Sequence, residues 1–488
     1  MKNNKALKIC LLIADFALLL VGIVLIPINL LVFSFPEWIP AVFGVLSVIG
    51  IIAYLIVFKT KLVTKIILPI IIIFAATAAA LFPFVYPYWS SNTHIGAVLN
   101  YDNAITYDEA IEDLDFAMHY LQKVHPMFLH GLTDEIKQGY EASVERLKND
   151  DAITVNDLRR EIQSIINPMH DAHTHTAEFN YPNERLLKDV PQKQYEGYYA
   201  ISVNGITDEE ALEIAKPYTS YESESGIGIS WAYLSTYDFY QISAPYTFVW
   251  ADENGNTVTE VYTEEDFVSP SEYNEIYLEY FTRTEQEPQG FVHYKIDEEK
   301  SLAILTLARC VYDQTYIDCV RDMFTEVKEK GIQNVAVDLR SNGGGNSRVA
   351  NEFIKYLPTD SYFGNSATVR YGFITRTYGG KISNSQQANL LFKGNVYLLT
   401  NTYSFSAATD FAMLIQDNGL GKVIGEPSRN AVNSYTEIAT FYLPNTGILM
   451  QMSTKETRRA NPEIKDDFVI PDYQCDSSEA FETLYSLL

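Results

Sequence analysis

Three stretches of the 488-residue chain carry the residue types of hydrolytic chemistry. In NTYSFSAATDFAMLIQDNG (401–419), Ser404 and Ser406 follow the strand-like NVYLLT and open a run with helical periodicity. A serine at a strand-to-helix turn reads in two ways. It is an N-cap whose hydroxyl accepts a free first-turn N–H, or a nucleophile, because the same turn gathers unpaired amides and partial positive charge where an oxyanion develops. In DLRSNGGG (338–345) the consecutive glycines let backbone approach a ligand closely, whether phosphate or an oxyanion, or form a flexible turn. The Gly-Lys-Ser/Thr ending of a phosphate loop is missing, and GGGNSR stands in its place. In INPMHDAHTHT (166–176), His170, His173 and His175 offer the commonest general base at neutral pH. In extended chain His173 and His175 share a face, as a metal-binding pair would, but no further ligand suggests itself. No metal and no cofactor are expected.

The elements around these stretches differ. From residue 107 to about 166 the pattern is helical, in DEAIEDLDFAMHYLQKV, TDEIKQGYEASVERLKN and TVNDLRREIQSII, with Thr133 and Thr154 placed as N-caps. From about 181 to 300 the chain is rich in Tyr, Ser and Glu. Alternating runs such as YAISVNG and YTFVWADENGNTVTEVY, with DENGN as the turn, read as a mostly β insert. After Ser301 strand and helix patterns alternate through LAILTLAR, YIDCVRDMFTEVKEKG, NVAVDLR, SRVANEFIKYL and NVYLLT. Such alternation predicts a parallel or mixed sheet covered by helices, with ligands at the carboxyl ends of strands. The glycine loop and the serine turn both leave such ends.

A hydrophobic fraction of 47% in a chain of this length predicts a folded protein of more than one domain. The net charge of −26 argues against a nucleic-acid partner, which would select clustered Lys and Arg. Residues 9–33, 39–58 and 62–86 are apolar over the length of about 20 residues that a bilayer-spanning helix needs. Lys2, Lys5 and Lys8 precede the first segment, and Lys59, Lys61 and Lys65 cluster where the second gives way to the third. The positive-inside rule then predicts a multi-pass cell-membrane protein, with a cytoplasmic N-terminus, the lipid bilayer as a partner, and everything after Trp89 extracellular. Asp15 reads as an interfacial residue of the first span. Cys310, Cys319 and Cys475 cannot all pair within one chain and read as mainly structural.

Taken together, the strand-DLRSNGGG-helix unit, TYSFSAATDFAMLIQDNGLGKVIGE and DAHT resemble the tail-specific, or carboxyl-terminal processing, serine peptidases, including their tricorn-like members, over about residues 108–472. The resemblance implies a helical cap (91–180), a PDZ-like β insert (181–300) and a crotonase-like β/α core (301–488), so that with the three-span transmembrane anchor read from hydropathy (1–90) an α/β protein in four parts is expected. YAISVNGITDEEALEIA is similar to the strand and helix of a PDZ-type module, without a clear carboxylate-binding loop.

Carried onto this sequence, the family's Ser-Ala-x-x-x-x-Ala helix start puts the nucleophile on Ser406, with Ser404 as the alternative, and the oxyanion amides on Ala407 and Gly344. Members with a Ser–Lys dyad carry a Gly-Lys-Gly turn. GEPSRNAVNSY has none, and Lys422 precedes it. Members with a Ser–His pair carry a DGHT-like motif, which assigns the base to His173. A glutamate shortly before a final Pro-Asp completes that set, and NPEIKDDFVIPD offers Glu463, with Asp466 as the alternative. The implied activity is a membrane-anchored serine endopeptidase cleaving extracytoplasmic proteins or peptides through an acyl-enzyme. Its rivals are a catalytically silent peptide-binding or sensor protein on the same fold and a metal-dependent hydrolase using the histidines.

Overall fold

The computed structural model describes residues 98–150, 152–176, 184–280, 290–371 and 374–488, with isolated positions between 10 and 46. At its centre lies a six-stranded sheet in the order Tyr473–Gln474, Lys422–Gly425, Asn395–Thr400, Asn334–Asp338, Leu302–Leu307 and Val292–Asp297. All neighbours run parallel except the last pair. Parallel strands are covered on both faces, so NVAVD and NVYLLT read as almost unbroken apolar runs. Alternate residues serve the two faces. Leu305, Val335, Val337 and Leu398 meet the helices Gln314–Lys330, Arg348–Ile354 and Ala407–Asp417 through Phe324, Phe353 and Phe411. Ile304, Ala336, Leu399 and Ile424 meet Ala480 and Leu484 of the C-terminal helix on the other side.

A second, antiparallel sheet joins His175–Thr176, Leu449–Arg458, Ser361–Tyr371 and Ile374–Ser383, with Ser434–Tyr442 also paired to Leu449–Arg458. The helices Tyr107–Val124, Asp134–Lys148 and Val155–Ile166 lie on it, burying Leu114, Leu121, Leu158 and Ile162 against Phe441, Met450 and Met452. Thr106, Thr133 and Thr154 start these helices, each hydroxyl accepting a first-turn N–H. The helical segment is thus one layer of a sandwich, and His173 enters the edge of the sheet beneath it through the strand His175–Thr176.

A third sheet, Ile206–Thr207, Tyr198–Val203, Tyr246–Asp252 and Thr257–Tyr262, is antiparallel throughout and closes its last hairpin over the DENGN turn. Trp231, Tyr237, Phe248, Trp250 and Phe267 fill its core.

The expected transmembrane anchor is corrected. Among the described residues no helix is long and apolar enough to cross a membrane. The longest, Tyr107–Val124, has 18 residues but carries Asp108, Glu109, Glu112, Asp113 and Asp115, which a hydrocarbon core tolerates poorly. Apart from isolated positions, segments 9–33, 39–58 and 62–86, with Asp15, lie outside the described residues. Their hydropathy states how the residues partition, not that a spanning helix exists. Three transmembrane helices, a multi-pass cell-membrane location and an extracellular catalytic part are therefore not carried forward.

Candidate active site

The glycine loop begins where the strand Asn334–Asp338 ends. Asn342, fully buried, donates from Nδ2 to Leu307 O (2.7 Å), and its Oδ1 accepts the Gly344 N–H (2.8 Å). Cys310 clamps the far side, its N–H donating to Gly344 O (3.0 Å) and its carbonyl accepting Asn346 N–H (2.7 Å). Hydrogen bonds stitch the loop to the serine turn, among them Ser341 N–H to Asn401 Oδ1 (2.8 Å), Asn401 Nδ2 to Ser341 Oγ (3.3 Å) and Phe405 N–H to Asn342 O (2.9 Å). Gly344 has φ +94°. A Cβ there would stand 2.6 Å from Phe405 O, 2.8 Å from Ser406 Cβ and 3.0 Å from Ala407 N, so only glycine permits this approach.

In the serine turn, Ser406 precedes the helix Ala407–Asp417 with φ 53° and ψ −119°, and its side chain caps nothing. Positive φ at a non-glycine residue is strained and persists where surroundings over-determine it. Here the Ser406 N–H is held by Asn430 Oδ1 at 2.6 Å. The N-cap reading of Ser406 thus fails, and a half-exposed hydroxyl stands beside the amide of Ala407, whose place at the first helical position leaves it without an intrahelical partner. Ser404 is different. It is buried, donates to Leu339 O (2.8 Å) and accepts Asn401 N–H (3.1 Å), so it holds the turn together.

The three histidines diverge. His170 is exposed, in the left-handed region at φ 48°, with its ring against Tyr221. His175 is a sheet-edge residue, Nδ1 near Ala172 O (3.2 Å) and Nε2 near Gln451 Nε2 (2.8 Å). His173 packs its ring on Phe405, the residue before Ser406, with centroids 4.8 Å apart. Both its ring nitrogens are buried without a hydrogen-bond partner. Asp171 fixes its backbone: Oδ1 accepts His173 N–H (2.9 Å) while Oδ2 meets His125 Nε2 (3.0 Å), the latter pair fully buried. His125 Nδ1 accepts Met127 N–H, which leaves Nε2 as the donor to Asp171.

The carboxylate that faces the imidazole is Glu222, Oε1 lying 3.9 Å from His173 Nδ1 with the two side chains only 3% and 12% exposed. Glu222 Oε2 accepts Asn430 Nδ2 and Ala431 N–H, each at 2.5 Å, so Asn430 links it directly to the Ser406 backbone. Glu463, the expected acid, is exposed in a turn where its N–H bonds Asn461 Oδ1, and Asp466 is exposed as well. Lys422 is exposed and paired to Asp472 at 2.8 Å. Neither Glu222 nor Asn430 had been singled out in the sequence. Glu222 sits in ESESG, an acidic loop with no chemical signature, and the local clue to Asn430 is its place in GEPSRNAVNSY, the stretch that the resemblance sets against a Gly-Lys-Gly turn.

Electrostatics follow from this packing. Burial pulls the His173 pKa down, but the Glu222 carboxylate and the charges of Asp171 and Asp410 outweigh it and raise the imidazole above its usual value. Burial pushes Asp171 up, yet hydrogen bonding and charge from His125, with His173 and Thr174, hold it below the usual carboxylate range. Asp410, whose N–H bonds Ser406 O (2.9 Å), is pushed up to about 6 by burial against the opposing pull of Lys455 and His173. Asp171, His173 and Glu222 present ligand atoms within 4.8 Å of one another, and their types suit a divalent cation. Asp171, however, is engaged by His125 and by the His173 N–H, and Glu222 Oε2 by two donors. What remains is an imidazole facing one carboxylate oxygen and packed on the residue before Ser406, an arrangement that suits proton transfer during acyl transfer.

Residues 302–475 match peptidase family S41. Among solved structures, mature CPAF complexed with lactacystin aligns with a TM-score of 0.53 at 11% identity, covering 78% of this chain and 96% of that one. Mature CPAF alone gives 0.50 at 12%, and a point mutant of CPAF 0.54 at 12%, each over 78% of this chain and 95% of theirs. At such identities the likeness is one of fold, a mixed α/β fold similar to that of S41 proteases. The match spans five of the six strands of the central sheet, the glycine loop and the serine turn, and the chain is a serine-type peptidase, a hydrolase of proteins or peptides.

Proposed function

We propose that the protein is an endopeptidase working through an acyl-enzyme, with Ser406 as nucleophile, His173 as general base and Glu222 as the carboxylate that holds the imidazolium. The observation that carries this is the buried, unpartnered ring of His173, set between Glu222 and the residue before Ser406. Because Nδ1 faces Glu222, Nε2 is the nitrogen left to receive the Ser406 proton. As Ser406 Oγ bonds to the peptide carbonyl carbon, His173 takes that proton and then passes it to the leaving amine. Water, deprotonated by the same nitrogen, releases the acyl group and restores the serine.

The oxyanion is received by Ala407 N–H and by Gly344 N–H, the latter exchanging Asn342 Oδ1 for the substrate oxygen. General-base help contributes about 10²–10⁴-fold, and one oxyanion donor about 10²–10³ in turnover. The exposed, ion-paired Lys422 favours this Ser–His reading over a Ser–Lys dyad. Labelling the purified protein with a serine-reactive phosphonate should modify Ser406, and Ser406→Ala should neither label nor cleave casein while melting normally. A label on another residue, or cleavage retained, would remove Ser406 from the role.

A further inference from the structure

Beside the serine turn stands a cation that has no counter-ion among the described residues. The Arg429 guanidinium lies over two rings of that turn, its carbon 5.5 Å from the centroid of Tyr403 and 5.5 Å from that of Phe405. Among the described residues it has no ion pair and no side-chain hydrogen bond. Carboxylates are abundant in a chain of net charge −26, yet among the described residues none pairs with it, and Glu426, three residues earlier, and Glu222, bound to Asn430, each hold other groups. Glu426 Oε2 accepts Thr402 N–H (3.2 Å), and Glu222 Oε2 is held by Asn430 and Ala431.

The side chain is nevertheless aimed. Arg429 N–H bonds Thr402 O (3.1 Å), and its stem lies against Gly226, where a Cβ would approach Arg429 Cβ and Cδ at 3.2 Å. Tyr403 is 57% exposed and Arg429 half-buried, so the shelf is open to solvent. His173 packs on the same Phe405 ring that Arg429 overlies, and the next residue, Asn430, bonds the Ser406 N–H. An Arg stacked on aromatic faces keeps its in-plane N–H fork free for a carboxylate, which it meets with two parallel bonds.

We propose that Arg429 is a substrate-carboxylate subsite of this peptidase, receiving an acidic side chain or the free C-terminal carboxylate of a peptide within a residue or two of the bond cleaved. The proposal rests on the reading of Ser406 as nucleophile. A peptide residue spans about 3.3–3.6 Å, which sets that reach. Because the contact is made equally in the bound substrate and the transition state, its loss should appear in KM rather than kcat.

The test uses internally quenched decapeptides carrying Glu, Gln or Lys at each position in turn, with free or amidated C-termini. They are cleaved by the wild type, Arg429→Gln and Arg429→Glu, and bound by the Ser406→Ala protein in fluorescence anisotropy. A charge-assisted pair is expected to favour the carboxylate about tenfold over its neutral isostere. Arg429→Gln should bring that ratio near one, and Arg429→Glu should turn it toward Lys. A Glu preference that survives amidation assigns the side chain, and one abolished by amidation assigns the C-terminus. A wild-type ratio near one, or a ratio that Arg429→Gln leaves intact, overturns the proposal, with melting curves identifying misfolded variants. Peptide binding to Ser406→Ala still reads the Arg429 ratio if cleavage proves independent of Ser406, so the two failures are distinct.

Discussion

Glu222 Oε1 and His173 Nδ1 lie 3.9 Å apart, just beyond a hydrogen bond, in a setting that leaves both atoms buried and unsatisfied. Unpaired buried polar atoms are costly, about 1–3 kcal/mol each, and rare enough in folded proteins to call for an explanation. A base and its orienting acid that draw together once substrate is bound supply one, since catalytic hydrogen bonds are often long in the free enzyme.

Replacing that carboxylate tests its role. Glu222→Gln keeps an oxygen for Asn430 Nδ2 and Ala431 N–H but removes the charge facing the imidazole. It should cost about 10²–10⁴-fold in kcat/KM on a quenched peptide without loss of melting temperature. Glu463→Gln, in an exposed turn, should stay within about twofold of wild type, as surface changes do. The reverse pattern would return the acid to Glu463.

The histidines separate proton transfer from metal chemistry. His173→Ala should be nearly as damaging as Ser406→Ala, whereas His175→Ala, which loses contacts to Ala172 and Gln451, should be mild. Dialysis against EDTA should leave the wild-type rate unchanged. Chelator sensitivity restored by added zinc, with His175→Ala still mild, would install a metal at Asp171, His173 and Glu222, and equal losses at the two histidines would return the metal reading that uses both.

The difference between what spacing revealed and what it hid is physical. The serine turn and the glycine loop are each a strand, a loop of fixed length and a helix start, so their character is written in consecutive residues such as NVYLLT and SAATDFA. Glu222 faces His173 only because the 222–226 loop docks on residues 429–431, through Asn430, Ala431 and the Gly226–Arg429 contact. No local period encodes that meeting. The N-terminal segments failed differently, since hydropathy describes partitioning and no spanning helix stands among the described residues.

Acidity should shut the enzyme down at an unusually high pH. As the proposed base His173 must be neutral to accept a proton, and its raised pKa keeps it protonated to higher pH, so activity is expected above that value and lost as pH falls through it. The acid limb of kcat/KM should therefore lie above about 6.5, the ordinary imidazole value. Asp410→Asn removes one of the charges that raise His173 and should move the limb to lower pH, with Glu222→Gln moving it further. A limb that neither variant shifts would mean that another group governs it.

Gly344 offers the sharpest contrast with a neighbour. At φ +94°, an added Cβ would meet Phe405 O, Ser406 Cβ and Ala407 N at 2.6–3.0 Å, mostly backbone that cannot swing aside, so the loop must move away from the serine turn. Gly343, one residue earlier, has nothing within 4 Å of such a Cβ. Gly344→Ala should lower kcat about 10²-fold or more, through displaced amides, and cost about 1–3 kcal/mol of stability. Gly343→Ala should keep most of both. Since the two substitutions add the same methyl group to the same loop, similar losses in thermal melts and turnover assays would mean that the close approach of Gly344 to Ser406 is not what the reaction needs.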